Sequence, residues 1–405
     1  MNGLKELEQE LNPVQLHYPE HEKTRSDAGL CSQQFTPGQT RKKEPMRVAL
    51  LASEMTTYGG IQSFMHRIAE AVTTLTLPPA IESYCISLND HLEQLRLIPA
   101  ISQSATVWGA GKSKVSLIAH LLFAQPRLDV LIVGHVSLAP LALAMKLSGR
   151  LQSYFVQLHG IEAWRKVSVL ERLSLLGAKR ILATMQFTAG ECARYNRIPL
   201  DRFHIIPLCA NEREHLLSPQ FRLNGAFKLL CVARQDQSER YKGIEMLFDA
   251  LAMLKTSQLD IHLNLVGSGN DQTRLRAVAD ELGVALQVTF WGSLSDADLV
   301  AAYKDCDLFV MPSQKEGFGI VFLEAMQFGK PCIGGNHGGT PDVIEHGKSG
   351  FLVEYGDTQS LAEHIRILVD NASLRRAMGE RGRELVTVKF SKRAFDSAYA
   401  ALMKS

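Results

Sequence analysis

The stretch Met311-Pro-Ser-Gln-Lys-Glu316-Gly-Phe-Gly319-Ile-Val-Phe-Leu-Glu324-Ala-Met-Gln-Phe-Gly-Lys-Pro331 carries the densest chemistry in the chain. An apolar strand is expected to end at Pro312, and the carboxylate of Glu316 follows in a glycine-flanked loop. A helix then opens near Gly319, where backbone amides lack partners and the positive end of the helix dipole lies. Glu316 stands where such a helix start would face a bound phosphate. Glu324 falls in the second turn of a helix whose apolar face is Ile320, Leu323 and Phe328. A carboxylate in that setting needs a partner, and it suits a two-pronged grip on a vicinal diol such as ribose.

Cations occur at a second place. Arg234 follows an apolar strand run, and Lys242 precedes Gly243 at a helix start. Both could aim at one phosphate group, although in isolation they would pass for two solvated cations. At a third place, Gly59 and Gly60 end a loop and open a helix, so an anionic group could approach the backbone. The spacing is not GxGxxG, and the loop Val266-Gly-Ser-Gly-Asn-Asp271 also lacks the third glycine, so the dinucleotide fingerprint is absent. His159, in His-Gly-Ile-Glu162 after a buried strand, and His135, after another strand end, are candidate site histidines.

These residues need a frame that presents strand ends. Met46–Ala52 is an apolar run suited to a buried parallel strand. Strands are expected at 83–87, 129–134, 153–158, 181–184 and 204–206, with helices at 115–122 and 138–147. A second series reads as strands at 227–233, 261–266, 287–290, 308–311 and 331–334. Helices at 243–254, 271–282, 295–302 and 320–328 separate them. Such alternation means a parallel sheet covered on both faces. It occurs twice, which predicts an α/β chain of two doubly wound, Rossmann-like domains facing a central cleft. In such sheets ligands bind beyond the carboxyl ends of strands. The expected division is a polar tail at 1–45, a first domain at 46–206, a linker at 207–226, a second domain at 227–390 and a final helix at 391–405 returning to the first domain.

Composition excludes several classes. With 405 residues, 46% hydrophobic and 21% charged, the chain is an ordinary globular protein of two or three domains. A net charge of +2 gives no global case for a nucleic-acid partner. Seven scattered cysteines without a CxxC pair read as reduced thiols. No apolar run reaches the length of a membrane span, and the acidic start MNGLKELEQELN is unlike a signal peptide. A cytoplasmic location is therefore expected. Charge is uneven: Met46 to Ile205 carries a net +6, and Ile206 to the end a net −3. Lys112 and Lys114 flank the apolar stretch Val115–Phe123, and Arg165, Lys166, Arg172, Lys179 and Arg180 extend the basic series. This balance is open to two readings, a solvated helix face or peripheral contact with an anionic inner membrane leaflet.

The Glu316–Glu324 segment resembles the E-x7-E signature of retaining glycosyltransferases of the GT-B fold, and most of all family 4 (glycosyl transferases group 1). Other segments occur in that family's order: Gly59-Gly60, His159-Gly160-Ile-Glu162, Arg234 with Lys242, Phe290–Leu299, Tyr303–Phe309, and Gly338-Gly339-Thr-Pro-Asp342 through Gly350-Phe-Leu-Val. The resemblance covers about 46–405 and is most specific over 227–355. It implies a sugar transfer from a nucleoside-diphosphate sugar to a saccharide or lipid-linked saccharide acceptor, with no metal and no cofactor beyond that co-substrate. Arg234 and Lys242 would neutralise the diphosphate, with Gly59 and Gly60 closing from the other domain, and Glu324 would hold the ribose. Glu316 and the Gly317, Phe318, Gly319 and Ile320 segment would bind the donor sugar. The backbone from Trp291 to Leu294 would frame the base, and His159 would reach the sugar near the acceptor. Pro207-Leu-Cys-Ala-Asn211 departs from the family's Asn-Gly, which leaves a contact from this loop without support. An epimerase on the same fold and a non-catalytic nucleotide-sugar-binding scaffold are the rival readings.

Overall fold

The computed structural model describes residues 44–404, apart from 58–59, 75–79, 212–215, 217, 219 and 256–259. The tail assigned to 1–45 therefore lies outside the described residues save for its last two. Among the described residues thirteen strands form two parallel sheets, one per lobe. The first lobe holds β1 (Met46–Ala52), β2 (Ile81–Ser87), β3 (Thr106–Gly109), β4 (Leu128–Val133), β5 (Leu151–Leu158), β6 (Arg180–Ala183) and β7 (Phe203–Ile205). The second holds β8 (Phe227–Val232), β9 (Ile261–Val266), β10 (Val288–Gly292), β11 (Leu308–Met311), β12 (Cys332–Gly335) and β13 (Gly350–Val353).

The strand orders are β3-β2-β1-β4-β5-β6-β7 and β10-β9-β8-β11-β12-β13. Each order reverses once, between β1 and β4 and between β8 and β11. A crevice opens at such a reversal, where neighbouring connections leave to opposite faces. Arg234 follows β8 and Glu316 follows β11, so both stand at the second lobe's reversal. The strands here read as unbroken apolar runs because helices cover both faces; Leu308, Phe309, Val310 and Met311 are all buried.

First-lobe helices are α1 (Gly60–Thr73), α2 (Leu92–Arg96), α3 (Pro99–Ser102), α4 (Lys114–Ala119), α5 (Ala139–Leu147), α6 (Val169–Gly177) and α7 (Gln186–Asn196). Those of the second lobe are α8 (Ile244–Leu254), α9 (Gln272–Glu281), α10 (Asp296–Asp305), α11 (Ile320–Gln327), α12 (Thr358–Asp370) and α13 (Ala372–Val388). The helix expected at 115–122 is instead α4 followed by a wider-wound turn at His120–Ala124. The strand expected at 331–334 runs one residue later, from Cys332.

The chain crosses between lobes twice. Ile206 and Cys209 pack in the first lobe's core, and Ala210 and Leu223 in the second's. The last helix, α14 (Lys392–Lys404), packs Phe395, Tyr399, Leu402 and Met403 against Val48, Leu50, Phe64 and Ile68 of the first lobe. The buried Tyr399 hydroxyl donates to Gln157 Oε1 at 3.1 Å. The Ala210 amide donates to the Phe390 carbonyl at 2.9 Å, which ties the two crossings side by side.

Candidate functional site

A cavity of about 300 Å³ lies between the lobes. Its second-lobe wall includes Arg234, Lys242, Glu316 and the run Gly317 to Ile320; its first-lobe wall includes Phe64, His159, Glu162 and Thr184. Residues far apart in sequence meet here because each follows a parallel strand, and all such strands in a lobe end on one side.

Lys242 ends a 3₁₀ turn (Gln237–Lys242) after β8, and Glu316 sits in the loop after β11. Their Nζ and Oε2 atoms are 2.7 Å apart, with little of either side chain exposed. Burial alone would lower the Lys242 pKa, but the charge and hydrogen bond of Glu316 outweigh it and leave the pKa raised. Arg234 is different. Its side chain is 78% exposed and pairs with the nearly buried Glu239. The two cations are thus held by different acids, one inside the cavity wall and one at its edge.

Gly319 precedes α11 with φ of 80°, a left-handed conformation that favours glycine. Gly319 and Ile320, at the start of α11, line the cavity, while Phe318 is buried against Phe390. Across the gap, Gly160 has φ of 157°, and a side chain there would come within 3.1 Å of Gly317 Cα. The two lobes approach closely at this pair.

His159 is buried. Its Nε2 lies 2.7 Å from the Gly134 carbonyl, which fixes the proton on Nε2 and leaves Nδ1 as an acceptor. Burial lowers its pKa, against the pull of Glu162, so the ring is neutral near neutral pH. Phe64 packs edge-on at 5.3 Å. Glu162 Oε1 accepts from the amides of His159, at 2.5 Å, and Gly160, at 3.2 Å. Its carboxylate thereby fixes the turn that carries His159. His135 instead turns its Nδ1 to Ser137 at 2.7 Å.

Glu324 and Leu294 do not line this cavity. Glu324 borders a small cleft beside Asn211, Leu299 and Tyr303. Its Oε1 accepts from Asn211 Nδ2 at 2.7 Å and its Oε2 from the Tyr303 hydroxyl at 2.9 Å. The loop at Asn211, which lacks the family's Asn-Gly, therefore touches this carboxylate. Burial and the nearby Glu324 charge push the Tyr303 pKa well up. Leu294 packs against the second lobe's core, and Trp291 Nε1 donates to Asn264 at 3.0 Å. Gly59 lies outside the described residues, and Gly60 is the first residue of α1. Sequence reasoning missed Tyr241 and Lys315 as cavity residues, although they adjoin Lys242 and Glu316, and named Glu162 only as part of the motif that carries His159.

Two facing, doubly wound lobes with a cavity at the strand ends define the GT-B fold. The crystal structure of Anabaena HepE in complex with UDP matches with a TM-score of 0.73 at 19% identity, over 89% of this chain and 100% of that one. Residues 219–385, most of the second lobe, match the family described as "Glycosyl transferases group 1". Over 164 residues the chain is 37% identical to the N-acetyl-alpha-D-glucosaminyl L-malate synthase of Bacillus anthracis, covering 40% of this chain and 42% of that one. Over 200 residues it is 33% identical to the GDP-mannose-dependent alpha-(1-6)-phosphatidylinositol monomannoside mannosyltransferase of Mycobacterium tuberculosis, covering 48% and 50%. The matched region thus spans half or less of these two curated relatives.

Proposed function

We propose that the chain is a retaining glycosyltransferase that moves a sugar from a nucleoside-diphosphate sugar to an acceptor hydroxyl in glycolipid, lipopolysaccharide or polysaccharide synthesis. The observation that carries this is the half-buried Lys242–Glu316 pair beside the α11 start, with Arg234 at the edge of the same cavity. As the bond from the anomeric carbon to the diphosphate breaks, its electron pair and charge pass to a phosphate oxygen. Arg234, Lys242 and the α11 amides are preorganised to meet that charge. The acceptor oxygen bonds the anomeric carbon on the same face and hands its proton to the departing phosphate. Glu316 holds a hydroxyl of the transferred sugar, and Glu324 holds the ribose once Asn211 or Tyr303 yields an oxygen. Trp291 to Leu294 frames the base. His159 offers Nδ1 to the sugar as a neutral acceptor.

The relatives support a nucleotide sugar without fixing its base, since HepE is complexed with UDP and the mannosyltransferase is named for GDP-mannose. The test is a panel of UDP-, GDP- and ADP-sugars, measured for binding and slow hydrolysis by the purified chain. Hydrolysis of one donor supports the proposal. Binding without turnover, with or without added acceptor, favours a scaffold, and no binding to any donor overturns both.

The finer partner assignment is an anionic membrane surface that presents a lipid-linked acceptor at the inner leaflet. In its support, Val115 and Phe123 beside Lys112 and Lys114 are exposed, as are Val169, Leu170 and Leu173 beside Arg165 and Lys166. Among the described residues no helix is long and apolar enough to cross a membrane.

A further inference from the structure

We infer that Asp342, remote from the proposed chemistry, is a positioning residue that sets the spacing between the two cavity walls. The inference rests on the glycosyltransferase reading for its activity readout and on geometry alone for its structural one.

Helix α7 begins directly after β6 and the cavity residue Thr184. Its N-cap, Met185, offers no side-chain acceptor, so the first amides of α7 lack the usual local cap. The cap comes from the other lobe. Asp342 Oδ2 accepts from the Phe187 amide at 3.3 Å, and the neighbouring Gln186 amide also favours the carboxylate charge. Lys389 Nζ, from the second lobe, donates to the Asp342 main-chain carbonyl at 3.3 Å, which leaves the carboxylate to the first lobe's amides. Burial disfavours the Asp342 charge and the two amides oppose that, as expected of a carboxylate kept for its contact.

The same loop is fixed to the cavity wall. The Gly339 amide donates to the Glu316 carbonyl at 2.9 Å. Met185 is buried in the second lobe's core, in the space that a side chain on Gly339 would fill. A short path therefore runs from α7 through Asp342 and Gly339 to the backbone of Glu316. It ends where Gly160 and Gly317 make their close approach. If the path opens, Glu316 and Lys242 move as one body away from His159, while each lobe keeps its own core.

The test compares Asp342→Ala and Asp342→Asn with wild type in the full chain. Asp342→Ala should lower donor turnover by about tenfold to 10²-fold, the scale of a small displacement at a reacting centre. The dissociation constant for the nucleotide diphosphate should stay near wild type, because its proposed side-chain contacts, Arg234, Lys242 and Glu324, lie in the second lobe. Asp342→Asn retains an acceptor oxygen and should restore part of the turnover. Spin labels on Lys166→Cys and Lys348→Cys should report a longer or broader interlobe distance in Asp342→Ala. Unchanged turnover with unchanged label distance overturns the proposal. So does a parallel loss of nucleotide affinity and melting temperature, which would mark a merely structural aspartate. If wild type turns over no donor, the glycosyltransferase reading fails, and the label distance still decides on Asp342.

Discussion

The two walls of the cavity are built on opposite electrostatic plans. The second-lobe wall holds two of its cations in ion pairs, Lys242 with Glu316 and Arg234 with Glu239. The first-lobe wall spends its carboxylate, Glu162, on two backbone amides and presents a neutral His159. The charge that the proposed reaction would turn on a departing diphosphate is thus confined to one wall. The other lobe contributes shape, a neutral acceptor and a turn held rigid. A substitution in the paired wall should therefore change chemistry and stability together, whereas one in the neutral wall should act through fit and pH.

The largest effect is expected at Lys242. Lys242→Ala should lower turnover by about 10²-fold or more, about 2.7 kcal/mol of lost transition-state stabilisation. It also strands Glu316 in a largely enclosed site, at a cost of about 1–3 kcal/mol of stability. Arg234→Ala should show a loss in turnover with a smaller fall in melting temperature, since its own side chain is mostly exposed and only its partner Glu239 is nearly buried. Paired kinetics and thermal melts check this, and an unchanged melting temperature in Lys242→Ala would remove the contrast between the buried and exposed cations.

The two glutamates sharpen the comparison inside the second lobe. Glu316→Ala should mainly lower turnover, because it faces the cavity. Glu324→Ala should mainly weaken donor binding, because a ribose contact is alike in ground and transition states. It should also cost about 1–3 kcal/mol of stability, since the Tyr303 hydroxyl and Asn211 amide lose their acceptor. Equal kinetic profiles for the two variants would merge their roles.

The same contrast explains what could be read before folding. The strands at 261–266 and 308–311 stand where the apolar runs placed them, because both faces of a parallel sheet are covered. The edge strand β3 was missed: Thr106–Gly109 is partly exposed and has no apolar run. Helix α6 was missed because Val169, Leu170 and Leu173 face solvent and blur its core-facing pattern. In the site, Glu316 to Ile320 was legible as one contiguous segment. The bonds that organise it were not. Lys242 and Glu316 are 74 residues apart, Asn211 and Glu324 are 113, and Phe187 and Asp342 are 155. Spacing along a chain carries no trace of such pairings until the topology brings the strand ends together.

On the neutral wall, pH should expose His159. Burial holds its folded pKa below the ordinary 6.5, so the unfolded chain takes up a proton that the native chain refuses. The stability this contributes is fully present above 6.5 and is lost as pH falls from there toward the lowered folded value. From about pH 7 to about pH 5, the melting temperature of wild type should therefore fall more steeply than that of His159→Gln. Parallel curves would mean that the ring is not held neutral by the fold.

The smallest effect on the cavity, and the widest test of the contrast between lobes, concerns the outer surface. The first lobe carries a net +6 over Met46 to Ile205, against −3 over the remainder from Ile206. Its exposed aliphatics sit beside basic residues, at Val115 with Lys112 and Lys114 and at Val169 with Arg165 and Lys166. An anionic bilayer would attract each such cation by about 1 kcal/mol near its surface, and the aliphatics would add burial in the interface. Sedimentation with vesicles containing anionic lipid should therefore show binding at low salt that fades at high salt, because charge at a surface is screened. Joint replacement of Lys112, Lys114, Arg165 and Lys166 by Gln should weaken binding by about 4 kcal/mol at most, since Arg165 already shares its charge with Glu171 at 3.5 Å. Hydrolysis of a soluble donor should be unaffected, because none of the four lines the cavity. Absence of vesicle binding at low salt would remove the membrane from the reading and leave a soluble acceptor approaching the neutral wall from bulk water.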